Sequence, residues 1–336
     1  MKIITTWLYL ESTEEAGEYA QVSGDASSNE FQDIYRRCLI TFFLTSRRHN
    51  PDSRLILFTN SIRNLKKTNI GGKVMQLLSH LNVEIIQIEY KYAPATEQKK
   101  WRNQFFVLDV IEYLTKNSNL EDLILILDSD IVWTGNGDNN AFWRTLRERG
   151  FLAIYPISNP NEDINGYSMQ GLNNLASEIG YKSIHIHDYV GGEFIALRGD
   201  NLLLVFNQAM EVLNYFRKSK NYEQFEFIEE AHLLSITYTI LNLTQNSANN
   251  FIRRIWTQIF HYQNRQIDDI NLLLWHLPAE KKYGLRRLTN KILNQKSLHT
   301  SGLLITENLD KYLGVSKNTI IKIILDLIYA IKYKLK

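Results

Sequence analysis

The chain has 336 residues, 38 Lys+Arg against 36 Asp+Glu, and a formal net charge of +2. A hydrophobic fraction of 44% with 22% charged residues excludes a disordered, collagenous or coiled-coil chain, and near-neutral charge leaves no footprint for nucleic acid. The single cysteine, Cys38, excludes an internal disulfide and fits a reducing, cytoplasmic compartment.

The N-terminal run Met1–Leu10 is short and meets Glu11, Glu14 and Glu15, so it reads as a buried first strand rather than a signal peptide. Asn29 to Ser46 carries a helical pattern in which Cys38 sits with Ile34 and Phe42 as inert core. Arg54–Thr59 follows a Pro-Asp-Ser turn and reads as a strand, as does Val83–Ile88. Gln98 to Lys116 is a second helical pattern. Leu123–Leu127 is apolar at every position, the mark of a strand buried on both faces. Phe151–Tyr155 and Phe194–Leu197 are further strands. This alternation predicts an α/β fold with an open, mostly parallel sheet and helices on both faces. Ligands on such sheets bind at the carboxyl ends of the strands.

Residues 1–290 read as one compact unit and 291–336 as a helical extension. No run reaches the roughly 18 apolar residues of a membrane span. The segment Asn318–Lys336 is apolar, with Lys322, Lys332, Lys334 and Lys336 as its cations and Asp326 as its only acid. It is either a basic amphipathic helix in peripheral contact with the inner face of a membrane, or a helix docked on the main domain with its lysines in water.

The strongest chemical signal is Asp128-Ser129-Asp130, directly after the all-apolar strand. Two carboxylates so close repel unless a cation neutralises them. Oxygen ligands of this kind suit Mg²⁺ or Mn²⁺, which bridge well to phosphates. The plainer alternative is a turn or a helix cap. Late in the chain, His276 offers a nitrogen ligand to complete that shell, and a lysine a few residues on offers a point charge for phosphate. Gly191-Gly192 marks a tight turn or a close backbone approach, with no phosphate-loop spacing after it. His185-Ile186-His187-Asp188 alternates like a strand edge leading to the cleft, with metal binding as the sharper alternative. Arg253-Arg254 either meets an anionic acceptor or packs on Trp256.

Taken together, these residues resemble the GT-A-fold, metal-dependent bacterial glycosyltransferases. The resemblance lies in the first strand Ile3-Ile4-Thr5-Thr6-Trp7, in Lys100-Trp101-Arg102-Asn103-Gln104-Phe105 ahead of the Asp-x-Asp motif, in Asp188-Tyr189-Val190-Gly191-Gly192-Glu193-Phe194, and in His276 with Lys282. The last pair is similar to the His-x-x-Gly-x-x-Lys pattern of some retaining members, with Ala279 where that pattern has glycine. The resemblance implies a GT-A (Rossmann-like) catalytic domain over residues 1–290 and Mn²⁺ or Mg²⁺ as cofactor. It implies Asp128, Asp130 and His276 as metal ligands, with Asp128 also reaching the donor. Thr6 and Trp7 would hold the nucleoside of a UDP-sugar or related donor, Arg102 the donor phosphates or sugar, and Lys281 or Lys282 the diphosphate.

If the anomeric centre inverts, a carboxylate must take the acceptor proton. The candidates are Glu193, Glu229 and Glu230. Glu193 alternatively hydrogen-bonds sugar hydroxyls, and Glu229 and Glu230 alternatively form a solvated helix face. The implied activity is transfer of a hexose to a saccharide or lipid-linked acceptor in cell-surface polysaccharide synthesis. A sugar-phosphate nucleotidyltransferase would carry a Gly-rich basic signature near its N-terminus, where this chain has Glu11, Glu14 and Glu15. A non-catalytic sugar- or membrane-binding scaffold would have no use for Asp128, Asp130, His276 and a lysine together.

Overall fold

The computed structural model describes residues 1–15, 17, 22, 24–94, 101–156, 159, 161–218, 229–294, 309–310 and 312–334. Strand β1 (Lys2–Leu8) lies beside β2 (Arg54–Thr59), which pairs with β3 (Val83–Gln87) on one side, while β4 (Leu123–Leu127) joins β1 on the other. All four run parallel. β7 (Phe194–Arg198) adds antiparallel to β4, and β6 (Phe151–Leu152) antiparallel to β7. The six-stranded order is β3-β2-β1-β4-β7-β6, with one strand reversed.

Because side chains alternate along a strand, each core strand feeds both faces of the sheet. Ile4, Leu55, Leu57 and Leu125 face a cluster closed by α1 (Asn29–His49), α3 (Asn69–His80), α5 (Asn139–Arg149) and α9 (Gly284–Leu293). Ile3, Ile56, Phe58, Ile124 and Ile126 face the opposite cluster, closed by α4 (Phe106–Asn117), α6 (Met169–Glu178), α7 (Gly199–Lys218) and α8 (Glu230–Ile240). A short α2 (Ile62–Leu65) follows β2. The sequence sets several boundaries through caps: Ser28, Thr68, Asp138 and Ser168 accept hydrogen bonds from the third residue of α1, α3, α5 and α6. Gly150 closes α5 in the left-handed region at φ +70°.

A second, three-stranded sheet sits at the carboxyl end of β4. Its order is β5 (Ile131–Trp133), β11 (Leu274–His276), β8 (Ile252–Arg254), with β11 antiparallel to β5 and parallel to β8. A small hairpin of β9 (Thr257–Gln258) and β10 (Tyr262–Gln263) follows β8.

Three expectations change. The pattern from Gln98 to Lys116 is not one helix: Gln98–Lys100 lie outside the described residues, Trp101 takes φ +55°, a 3₁₀ turn spans Arg102–Phe105, and α4 starts at Phe106. Phe151–Tyr155 keeps only two strand residues, because Ala153 leaves β7 to bond with Asn246 and Ala248. His185–Asp188 forms no strand. The Asn173 amide brackets Ile186, donating to its carbonyl at 3.0 Å and accepting from its N–H at 2.8 Å, so a side chain stands where a neighbouring strand would.

The C-terminal helix α10 (Ile320–Lys334) docks on the domain through charge. Lys322 and Asp326 are buried, and Lys322 Nζ lies 2.7 Å from Glu280 and 2.8 Å from Asp326. Lys322 is therefore neither a membrane-facing nor a solvated cation, a correction to both readings of the tail. The aliphatic residues Ile320, Ile321, Ile324, Leu327, Ile328 and Ile331 are exposed instead. No helix among the described residues is long and apolar enough to cross a membrane.

Phe142 on α5 contacts the rings of Trp133, Trp143, Phe194 and Phe251, and so ties β5, β7 and the small sheet together. Phe142→Ala is expected to cost about 3–5 kcal/mol in urea unfolding. A loss below about 1 kcal/mol would show that the cluster relaxes around the cavity.

Candidate active site

Strand register assembles the site. Leu127, the last residue of β4, pairs with Phe194, so Glu193 stands beside Asp128, whose N–H donates to the Glu193 carbonyl at 3.0 Å. Asp130 immediately precedes β5. His276 on β11 pairs with Ile131 of β5 and with Arg254 of β8. Leu277 N–H donates to the Asp130 carbonyl at 3.2 Å and extends that pairing by one step. Four segments scattered through the sequence thus meet at the carboxyl edge of β4.

Asp128, Asp130 and His276 each offer one ligand atom within 4.8 Å of the others. His276 Nε2 is 3.3 Å from Asp130 Oδ2 and 3.8 Å from Asp128 Oδ2. Asp130 is 1% exposed at its side chain and Asp128 26%, so the group is enclosed but open on one flank. Neither carboxylate oxygen of Asp130 nor His276 Nε2 makes a hydrogen bond. Buried polar atoms left in this way fit a divalent cation, and one nitrogen with carboxylate oxygens is a donor set for Mn²⁺ or Mg²⁺. The cysteine expected to be inert, Cys38, is buried in α1.

The other imidazole nitrogen is engaged. His276 Nδ1 lies 3.0 Å from Glu193 Oε1, and Arg254 grips the same carboxylate with Nε and Nη2, both at 2.6 Å. Arg254 thus neither awaits an acceptor nor packs on Trp256 as its main partner. Arg253 pairs with Asp269 at 2.7 Å. A carboxylate behind a ligating histidine fixes its tautomer and aims its lone pair. Lys281 Nζ is 3.2 Å from Asp130 Oδ2 and 5.3 Å from the Tyr35 ring centroid.

Burial works against the charged form of every group here, and the neighbours decide the outcome. For Asp130 burial is outweighed by Lys281 and His276, which hold its carboxyl well below the usual range. For Asp128 burial and the Asp130 charge both push upward. For His276 burial pulls down, but Asp130 and Glu193 prevail and raise the imidazole to about 9. Glu193 is held low by Arg254 and His276 despite its burial.

Beside Asp128 and Asp130 opens a cleft of about 770 Å³, lined by Trp7, Tyr9, Phe31, Tyr35, Trp101 and Lys281 among others. Of the residues singled out in the sequence, Trp7, Asp128, Asp130 and Lys281 line it; Thr6 is buried in β1. Arg102 lies on the 3₁₀ turn, where its carbonyl accepts the Tyr90 hydroxyl, and its neighbours Trp101, Asn103 and Gln104 line the cleft in its place. Between the competing lysines, Lys281 reaches Asp130 and lines the cleft. Trp101 holds a left-handed backbone at the rim, at φ +55°, a conformation that bulky side chains rarely adopt.

Glu229 and Glu230 are buried, not a solvated face. Glu229 accepts from the Tyr189 hydroxyl and from Asn165 Nδ2 at 2.7 Å. Glu230 opens α8; its Oε2 has no hydrogen-bond partner, and burial, then Glu229, then Asp128 push its carboxyl well above the usual range. A methyl at Gly192 would overlap the Glu230 carboxylate, and one at Gly191 would overlap Glu193, so the glycine pair makes room for two buried acids. Arg254's partner and the place of Tyr35 carry no local sequence signal; only spatial neighbours identify them.

A protonated imidazole must release its proton to ligate a metal. Mn²⁺ affinity is therefore expected to climb about tenfold per pH unit between roughly 6.5 and 9 and then level off, which titration calorimetry would read. In the metal-free protein the sign is opposite. The raised His276 pKa contributes stability that is complete below about 6.5 and fades as pH rises through about 9. Affinity that is flat over this window would mean that His276 does not ligate.

No protein-family model and no curated protein matches the chain. Among solved structures, an active-site mutant of LgtC shares 11% identity over 82% of this chain and 86% of that one, with a TM-score of 0.43. The galactosyltransferase LgtC in complex with donor and acceptor sugar analogues shares 12% over the same proportions, also at 0.43. The apo structure of WbbM, a bifunctional glycosyltransferase, shares 11% over 81% of this chain and 45% of that one, at 0.46. Likenesses this distant do not assign the chain to a family.

Proposed function

We propose that this chain is a metal-dependent glycosyltransferase of GT-A type, with residues 1–290 as its catalytic domain. It would move a hexose from a nucleotide-diphosphate sugar, a UDP-sugar in the first instance, to a saccharide or lipid-linked acceptor in cell-surface polysaccharide synthesis. The observation that carries the reading is the convergence of Asp128, Asp130, His276 and Lys281 at the mouth of an aromatic-lined cleft.

In this reading Asp128, Asp130 and His276 hold Mn²⁺ or Mg²⁺, which stabilises the negative charge of the departing diphosphate. Lys281 supplies a second positive charge to that leaving group. The aromatic wall of Trp7, Tyr9, Tyr35 and Trp101 receives the nucleoside by stacking. Glu193 is a positioning residue, since Arg254 and the His276 ring already occupy its oxygens. Glu229 anchors α8 through Tyr189 and Asn165. Glu230, whose carboxyl burial and the neighbouring Glu229 push well above the usual range, is suited to hydrogen-bond a sugar hydroxyl. None of the three acids is a free base for an acceptor proton, which favours transfer with retention over inversion.

Asp130→Ala is expected to reduce donor hydrolysis by about 100-fold or more while the protein remains folded. Screening nucleotide sugars on the wild type would identify the donor, and full activity in the variant would remove the metal site from the proposal. Glu193→Gln is expected to weaken Mn²⁺ binding by about 10- to 100-fold. An unchanged affinity would reduce Glu193 to a packing role.

The exposed aliphatic face of α10 is the surface this reading turns toward the membrane of a lipid-linked acceptor, in peripheral contact from the cytoplasmic side. The double variant Ile324→Asp with Ile328→Asp is expected to lower sedimentation with anionic vesicles several-fold. Equal sedimentation would take the membrane out of the reading.

A further inference from the structure

A buried ion cluster outside the metal group joins the segment after His276 to the C-terminal helix. Glu280 is fully buried. Its Oε2 accepts the Gly284 N–H at 2.8 Å, and its Oε1 accepts the Thr257 hydroxyl and meets Lys322 Nζ at 2.7 Å. The same ammonium lies 2.8 Å from Asp326, whose other oxygen accepts the Ile259 N–H at 3.2 Å. Lys322 and Asp326 belong to α10, Thr257 to β9, and Glu280 to the 3₁₀ turn Pro278–Glu280.

That turn occupies a particular place. It follows His276 and immediately precedes Lys281, so it alone joins the imidazole to the ammonium beside Asp130. Its backbone is pinned at one end to the acidic loop, where Leu277 N–H donates to Asp130 O at 3.2 Å and Glu280 N–H to Leu277 O at 3.0 Å. At the other end Glu280 meets the Lys322 ammonium of α10. Room for the carboxylate is built in: a methyl at Gly284 would overlap Glu280 and press on the Tyr312 carbonyl.

We infer that Lys322 is a positioning residue of the site, through which the C-terminal helix holds the His276–Lys281 turn in register with Asp128 and Asp130. The extension is then a working part of the diphosphate-binding machinery, needed in lipid-free solution. Glu280 and Asp326 make two buried carboxylates around one ammonium. Without Lys322 they repel each other, Glu280 swings toward water, and Lys281 loses its seat 3.2 Å from Asp130. The identity of the ligand rests on the functional reading above; the coupling itself does not.

The test uses the full-length chain. In Lys322→Met, the amides of 277 and 279–284 are expected to exchange with deuterium at least about tenfold faster, while those of β1 and β4 keep their protection. Affinity for UDP in the presence of Mn²⁺ is expected to fall about tenfold or more, with affinity for UMP unchanged, because the functional reading above assigns Lys281, the residue after the turn, to the diphosphate. Lys322→Arg, which keeps the charge, is expected to recover most of both losses. Should Lys322→Met not fold, the double variant Glu280→Gln with Lys322→Met removes both members of the pair and is expected to show the same local exchange. Wild-type exchange over 277–284 in a folded variant of either kind overturns the inference. So does a UMP affinity that falls as far as that for UDP, since that marks general loosening. A wild type that fails to bind UDP with Mn²⁺ overturns the donor reading instead, and the exchange rates still decide the coupling.

Discussion

The site depends on the register with which β11 inserts between β5 and β8. Pairing of His276 with Ile131 on one side and Arg254 on the other places an imidazole against Asp130 and a guanidinium behind it. A slip of one residue would turn His276 to the opposite face of the small sheet and bring Trp275 into its place. Few residues are as poorly suited to that exchange, since Trp275 is buried and donates its indole N–H to the Asp269 carbonyl. The packing of a tryptophan thus fixes where the His276 imidazole points.

Once assembled, the cluster is kept in electrostatic balance. Asp128, Asp130 and Glu193 are opposed by His276, Lys281 and Arg254 at 2.6–3.8 Å. Removing one partner of such a buried set leaves an uncompensated charge and costs far more than the intact pairs contribute. The arrangement divides the work by position. Arg254 saturates Glu193, so that acid acts on His276 alone. Lys281 faces Asp130 from the cleft side, where an arriving diphosphate would compete for it. Displacement of the imidazole proton by a divalent ion would leave the total positive charge higher by one, in a place that a diphosphate would then neutralise.

The sequence made the central sheet legible because its strands are read from local pattern alone. Leu123–Leu127 has no polar residue, and burial on both faces is the one environment that suits such a run. The Asp-x-Asp after it and His276 could be paired because carboxylate and imidazole donors suit the same divalent cations. What was not legible depends on contacts across the sequence. Glu193 looked like a cleft acid because nothing near it announces Arg254. Glu229 and Glu230 looked like a charged helix start because the Tyr189 hydroxyl that donates to Glu229 and the Gly192 that leaves room for Glu230 lie on another segment. His185–Asp188 alternates like a strand, but a single asparagine on α6 takes up the hydrogen bonds a partner strand would have made. Lys281 and Lys282 are neighbours of identical type, and only the turn ahead of them decides which one faces Asp130.

The C-terminal helix inverts the usual arrangement. An amphipathic helix buries its apolar stripe and leaves its charges in water, whereas α10 buries Lys322 and Asp326 and exposes Ile320, Ile321, Ile324, Leu327, Ile328 and Ile331. Hydrophobic burial therefore contributes little to holding this helix in place, because most of its apolar surface gains nothing from docking. Among the described residues, polar contacts fix its position: the Lys322 ammonium against Glu280 and the Ile259 N–H on Asp326. The Lys322 contact is directional, and it is made to the turn that separates His276 from Lys281. A helix held by apolar area could slide or roll at small cost. One held by a buried ion pair has a single seat, and whatever shifts the helix must also act on the turn. The exposed aliphatic face and Lys281 are in this way two ends of one lever, with Glu280 as its pivot.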